Sequence, residues 1–125
     1  MGKKLTEMPG SSAYVQGGVI SYSNEVKHKV LGVPQEELDT YGAVSEEVAK
    51  SMAEGTRKLL GTTYGVSTTG IAGPGGGTAT KPVGLVYIGV SGPNGTVAYR
   101  NDLSVTVKVF VRVRRNEPYI SCIRL

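Results

Sequence analysis

Two groups of residues have the types and spacing to do chemistry. Ser11 and Ser12, in a Pro9-Gly10-Ser11-Ser12 turn, offer hydroxyls, and Lys27 offers an amine. A serine hydroxyl becomes a nucleophile when a base takes its proton. A lysine can be that base once burial lowers its pKa enough for a neutral fraction to exist. Spacing alone does not make these side chains meet; read by themselves, Ser12 is a turn residue and Lys27 a solvated helix residue. The second group is the run Gly70-Ile71-Ala72-Gly73-Pro74-Gly75-Gly76-Gly77, entered through Thr68 and Thr69. Backbone bare of side chains can wrap a small ligand, with the two hydroxyls alongside. The run lacks Gly-Lys-Ser/Thr and the dinucleotide-binding spacing, so it is neither of those phosphate loops, and an ordinary long connection is its other reading. His28 and Cys122 make neither a triad nor a metal site, and no metal is expected.

The elements that must position these groups follow from capping and periodicity. Residues 13–22 (AYVQGGVISY) read as a strand, with Gly17-Gly18 as a bulge or close approach, after a brief irregular opening. Ser23 caps a short helix through Leu31 that Gly32 stops, and Pro34 opens another ending near Gly42. The clearest helix spans residues 46–60, with Ser45 as cap, Glu46 and Glu47 at the positive end of its dipole, and Gly61 after its last turn. Val48, Met52, Thr56 and Leu59/Leu60 form its expected buried stripe. Residues 64–69 read as a strand that delivers the chain into the glycine run. Residues 83–91 and 96–100 read as a hairpin turned at Pro93-Asn94-Gly95.

Composition narrows the function classes. The chain has 125 residues, one cysteine and a net charge of +4. Through Leu103 nine basic residues balance nine acidic ones; the excess is Lys108, Arg112, Arg114, Arg115 and Arg124 against Glu117. A nucleic-acid footprint would be a basic face built into the fold with aromatics for stacking, so no nucleic-acid partner is expected. One cysteine allows no internal disulfide, and no run approaches membrane-spanning length, so a cytoplasmic protein with no membrane partner is expected.

Several motifs occur in order: Pro9-Gly10-Ser11-Ser12, Tyr22-Ser23-Asn24-Glu25-Val26-Lys27, Leu31-Gly32-Val33, Tyr41-Gly42-Ala43-Val44-Ser45 and the run from Thr69 to Gly77 followed by Lys81-Pro82-Val83-Gly84. Together they resemble the CinA C-terminal domain, the family of nicotinamide-nucleotide amidases, over roughly residues 5–102. The resemblance implies an α/β fold, a single layered α/β sandwich domain. It also implies deamidation of nicotinamide mononucleotide to nicotinate mononucleotide and ammonia, without a cofactor. Carried over by position, Ser12 resembles the nucleophile, Lys27 its general base and Tyr22 the residue that orients the pair. Ser11, Thr68, Thr69, Gly70, Gly73, Gly75 and Gly76 would bind substrate.

The sequence departs from the family pattern at both ends. The family begins with a helix and a strand leading to a Ser-Cys-Thr-Gly-Gly motif, so a domain over residues 1–103 lacking that helix and strand is expected. Removing an interior strand from a parallel sheet would leave unpaired backbone groups. Residues 104–125 form the second departure. The family continues with Gly-Asp-Arg-Glu and a closing amphipathic helix, where it places a substrate-binding Arg; here valines alternate as in a strand. Starting each codon on the third base of the one before permits Gly at the Ser104–Val105 junction, then Asp, Arg and Glu, so a frameshifted tail is expected. As written, the tail could pair with the exposed hairpin edge or recruit another chain, and exposed edges would suit a homo-oligomer. The alternative function is a catalytically dead remnant that at most binds nucleotide or associates with other chains.

Overall fold

Helix α4 (Glu46–Leu60) is the element on which the others are assembled, and its ends fall where its capping residues put them. In this computed structural model, which describes residues 2–71, 75–102, 108–110 and 122–124, the Ser45 hydroxyl accepts from the Val48 N–H at 3.3 Å. The same hydroxyl donates to the Gly42 carbonyl at 2.9 Å. Gly61 ends the helix at φ 61°, a left-handed conformation that a side chain would disfavour. Because one buried hydroxyl serves both the helix start and the preceding turn, Ser45→Ala is expected to cost about 1–2 kcal/mol, read from urea unfolding.

Four shorter elements precede and flank it: α1 (Gly2–Thr6), a 3-10 turn (Ser11–Ala13), α2 (Asn24–Lys29) and α3 (Gln35–Tyr41). Leu31, Val33 and Leu38 from the α2–α3 region pack with Val48 and Met52 of α4 into one apolar cluster. The chain crosses α4 so closely at Gly55 that an added Cβ would lie 1.8 Å from the Leu31 carbonyl oxygen. Leu59 lies one turn beyond that crossing and is 53% exposed, so the expected stripe continues through half-buried Leu60 and not through Leu59.

The sheet has three strands in the order β1 (Gly65–Gly70), β2 (Leu85–Gly92), β3 (Gly95–Asp102), each pair antiparallel. The β2–β3 turn is a tight one, with Gly92 opposite Gly95. One face of the sheet is small: Gly65 stands opposite Ser91, and Ser67 opposite Gly89. The backbone of α4 rests directly on it. Ser67 donates its hydroxyl to the Ala49 carbonyl at 2.5 Å, and Cβ atoms added at Gly89 and Gly65 would lie 2.2 Å from the carbonyl oxygens of Ala49 and Ala53. On the opposite face Ile88, 1% exposed, packs with Leu5 of α1 and with Val66, Val86 and Val90. Helix, sheet and helix make the expected layered α/β arrangement.

Four expectations are corrected. Every described strand pairing is antiparallel, so the parallel sheet is not found. Residues 13–22 are not a strand: after the 3-10 turn the chain runs without a ladder, and Ile20 and Tyr22 are almost fully exposed. Their alternation favours extended backbone, but a strand also needs a neighbour, and none of the described residues pairs with them. The opening is a helix rather than irregular, held on the sheet by Leu5. In the tail, β4 (Lys108–Phe110) pairs with β5 (Cys122–Arg124), Lys108 opposite Arg124, rather than with the hairpin edge. The other residues of the tail lie outside those described.

Candidate functional site

Lys27 is a buried lysine. The Ser23 hydroxyl accepts from the Val26 N–H at 3.2 Å and starts α2, which places Lys27 on its last turn and inward, 7% exposed. Its Nζ donates to the Ser21 carbonyl at 3.0 Å and to the Tyr22 carbonyl at 3.3 Å. Among the described residues no carboxylate pairs with it. Burial without a counter-ion disfavours the charged form, so its pKa is pulled below the ordinary lysine value of 10.5. The two carbonyls also suit the neutral form. A neutral amine keeps two N–H bonds, one for each carbonyl, and its lone pair is left for a third direction.

Tyr22 therefore reaches Lys27 through its backbone; its side chain is 97% exposed. The serines sit on the 3-10 turn that Gly10 introduces at φ 83°. Ser11 is buried, its N–H donating to the Met8 carbonyl at 3.1 Å and its hydroxyl to the Thr6 carbonyl at 3.4 Å. Ser12 is exposed on the same turn. No hydrogen bond joins Ser12 to Lys27 among the described residues.

At the glycine run, Thr69 is buried and donates its hydroxyl to the Ala43 carbonyl at 2.7 Å, which leaves it only lone pairs to offer a ligand. Gly70, Gly75 and Gly76 are exposed, and Gly73 lies outside the described residues. Thr68 is half-buried and points away from Thr69, toward a cleft of about 1100 Å³. Ser21, Tyr22, Leu31, Met52 and Val66 also line that cleft, which runs along the open edge of β1. The carbonyls that orient Lys27 thus border the cleft, while Ser12, Lys27 and the glycine run are outside its lining.

Sequence reasoning missed the carbonyls of Ser21, Tyr22 and Ala43, because a backbone acceptor has no residue-type signature. It also missed Lys81, whose Nζ donates to the Tyr41 carbonyl. Among the described residues, no helix is long and apolar enough to cross a membrane, and no three His, Cys, Asp or Glu side chains are grouped to hold a metal.

Comparison with known proteins places this geometry in context. The family model for the CinA C-terminal domain matches residues 1–113. A CinA-like protein of Gloeothece citriformis is 61% identical over 97 residues, 78% of this chain and 23% of that protein. One from Leptospira biflexa is 57% identical over 97 residues, with the same shares. The chain therefore spans about a quarter of the length of these curated relatives. Among solved structures, the competence/damage inducible protein CihA from Agrobacterium tumefaciens superposes with a TM-score of 0.73 at 46% identity, over 77% of this chain and 59% of that one. A competence-damaged protein (CinA) superfamily protein from Escherichia coli gives 0.74 at 28% identity, over 78% and 57%.

Proposed function

We propose, from the premise that this chain belongs to the CinA C-terminal domain family, that it is an amidohydrolase acting on nicotinamide mononucleotide. The observation that carries the reading is the buried Lys27 amine, held by two carbonyls and with no carboxylate paired to it among the described residues. In the reaction, Ser12 Oγ attacks the carboxamide carbon and Lys27 Nζ takes its proton. The tetrahedral intermediate collapses as Lys27 returns that proton to the departing nitrogen, and ammonia leaves. Water, deprotonated by the same amine, then attacks the acyl-serine and releases nicotinate mononucleotide. Backbone N–H groups of the 3-10 turn or of the glycine run would stabilise the oxyanion, and the run would cradle the rest of the substrate.

The test is ammonia release from nicotinamide mononucleotide, with Ser12→Ala as the control. Release that disappears in Ser12→Ala supports the reading, and release unaffected by the substitution would contradict it. The pH dependence follows from Lys27. Only the neutral amine accepts a proton, so kcat/KM is expected to rise with pH and level off below pH 10.5, the ordinary lysine value.

A second reading is favoured by the exposed Ser12, which no hydrogen bond joins to Lys27. On that reading the chain is a catalytically inactive family member that binds nucleotide or associates with other chains. It predicts saturable binding of nicotinamide mononucleotide in calorimetry without ammonia release.

A further inference from the structure

Both stems of the glycine run are tied to the same short stretch of chain. On the entering stem, the Thr69 hydroxyl donates to the Ala43 carbonyl at 2.7 Å. On the leaving stem, Lys81 Nζ donates to the Tyr41 carbonyl, one of the orphan carbonyls at the end of α3. The leaving stem is itself ordered. The Thr78 N–H donates to the Lys81 carbonyl at 2.8 Å, the Lys81 N–H to the Thr78 hydroxyl at 3.0 Å, and the Gly84 N–H to the Ile71 carbonyl at 2.8 Å. Gly75, Gly76 and Gly77, which precede this stem, carry no side chain to fix their path. Two side-chain ties to carbonyls two residues apart therefore limit where the ends of the run can be.

We propose that Lys81 is a positioning residue, latching residues 75–84 to the α3–α4 connection and so pre-setting where the backbone of Gly75, Gly76 and Gly77 meets substrate. The proposal rests on the amidase reading for its ligand, but the latch itself does not. Loss of the latch leaves Ser12 and Lys27 in place and adds the ordering of residues 75–84 to the cost of binding substrate. The effect therefore falls on KM rather than kcat.

The experiment compares the full chain with its Lys81→Met and Lys81→Arg variants. Hydrogen exchange is read at the Thr78 and Gly84 amides, and kcat and KM are measured with nicotinamide mononucleotide. Lys81→Met is expected to raise exchange at both amides about tenfold with no change within α4, and to raise KM at least fivefold with kcat within twofold. Lys81→Arg, which can still donate to the Tyr41 carbonyl, restores both. Unchanged exchange at Thr78 and Gly84, or a fall in kcat at constant KM, would overturn the proposal. If the unaltered chain releases no ammonia, the amidase reading fails, and the exchange measurement alone decides the latch. Should Lys81→Met unfold, Thr69→Val removes the other tie and is read by exchange in the same way.

Discussion

Lys27→Met is expected to lower amide hydrolysis about 10³-fold while leaving the protein at least as stable as before, a combination that separates a base from a scaffold residue. The activity loss follows from removing the proton acceptor. The stability result follows from burial. The Lys27 amine is 7% exposed with no paired carboxylate among the described residues, so its charged form costs free energy that an apolar side chain of similar length does not. The carbonyls it leaves behind are not stranded, because Tyr22 is exposed and Ser21 half-buried, and both border the cleft where water can reach them. Linkage gives the same sign. A lysine whose folded pKa lies below 10.5 binds fewer protons folded than unfolded between the two values, so stability rises with pH across that window. The cost is fully present below the folded pKa. The Lys27→Met variant should lose this pH dependence, as read from urea midpoints at pH 7 and pH 10. A large loss of stability in Lys27→Met would instead make Lys27 a structural residue.

Gly89→Ala is expected to destabilise the domain by roughly 3 kcal/mol, at the top of the usual range for overpacking. The added methyl would stand 2.2 Å from the Ala49 carbonyl oxygen and 2.6 Å from Ser67 Oγ. Neither can give way: the carbonyl belongs to the backbone of α4, and the hydroxyl is held by its hydrogen bond to the same carbonyl. The helix would have to lift off the sheet, and the Ser67 bond would break with it. For a domain of this size that is a large share of its total stability. Gly18→Ala is the matched control, since nothing lies within 4 Å of a Cβ placed there, and its urea midpoint should hardly move. Equal midpoints for the two variants would mean that the close contact of α4 with the sheet is not a source of stability.

Much of this architecture was legible in the residues because local chemistry fixes it. Ser23, Ser45 and Gly61 are caps whose side chains, or lack of one, decide where a helix begins or ends, and both α2 and α4 begin directly after their serines. The hairpin was legible for the same reason. What was not legible depends on partners distant in the sequence. Residues 13–22 have strand-like alternation but no strand to pair with among the described residues, and periodicity cannot report that. The small face of the sheet reads as weak strand propensity at Gly65, Ser67, Gly89 and Ser91, although it is the surface that admits α4. At the site, residue types pointed to Lys27 and to the glycine run. The atoms that orient Lys27 are main-chain carbonyls, and Lys81 reaches across 40 positions to Tyr41, so neither has a local signature.

The most direct test is an NMR titration of the Lys27 side-chain amine in the intact chain, set beside the pH profile of ammonia release. This amine is expected to lose its proton below pH 10.5, with the rate rising through the same midpoint. An amine that holds its proton to pH 10.5 or above, or a rate that rises through an unrelated midpoint, would contradict it.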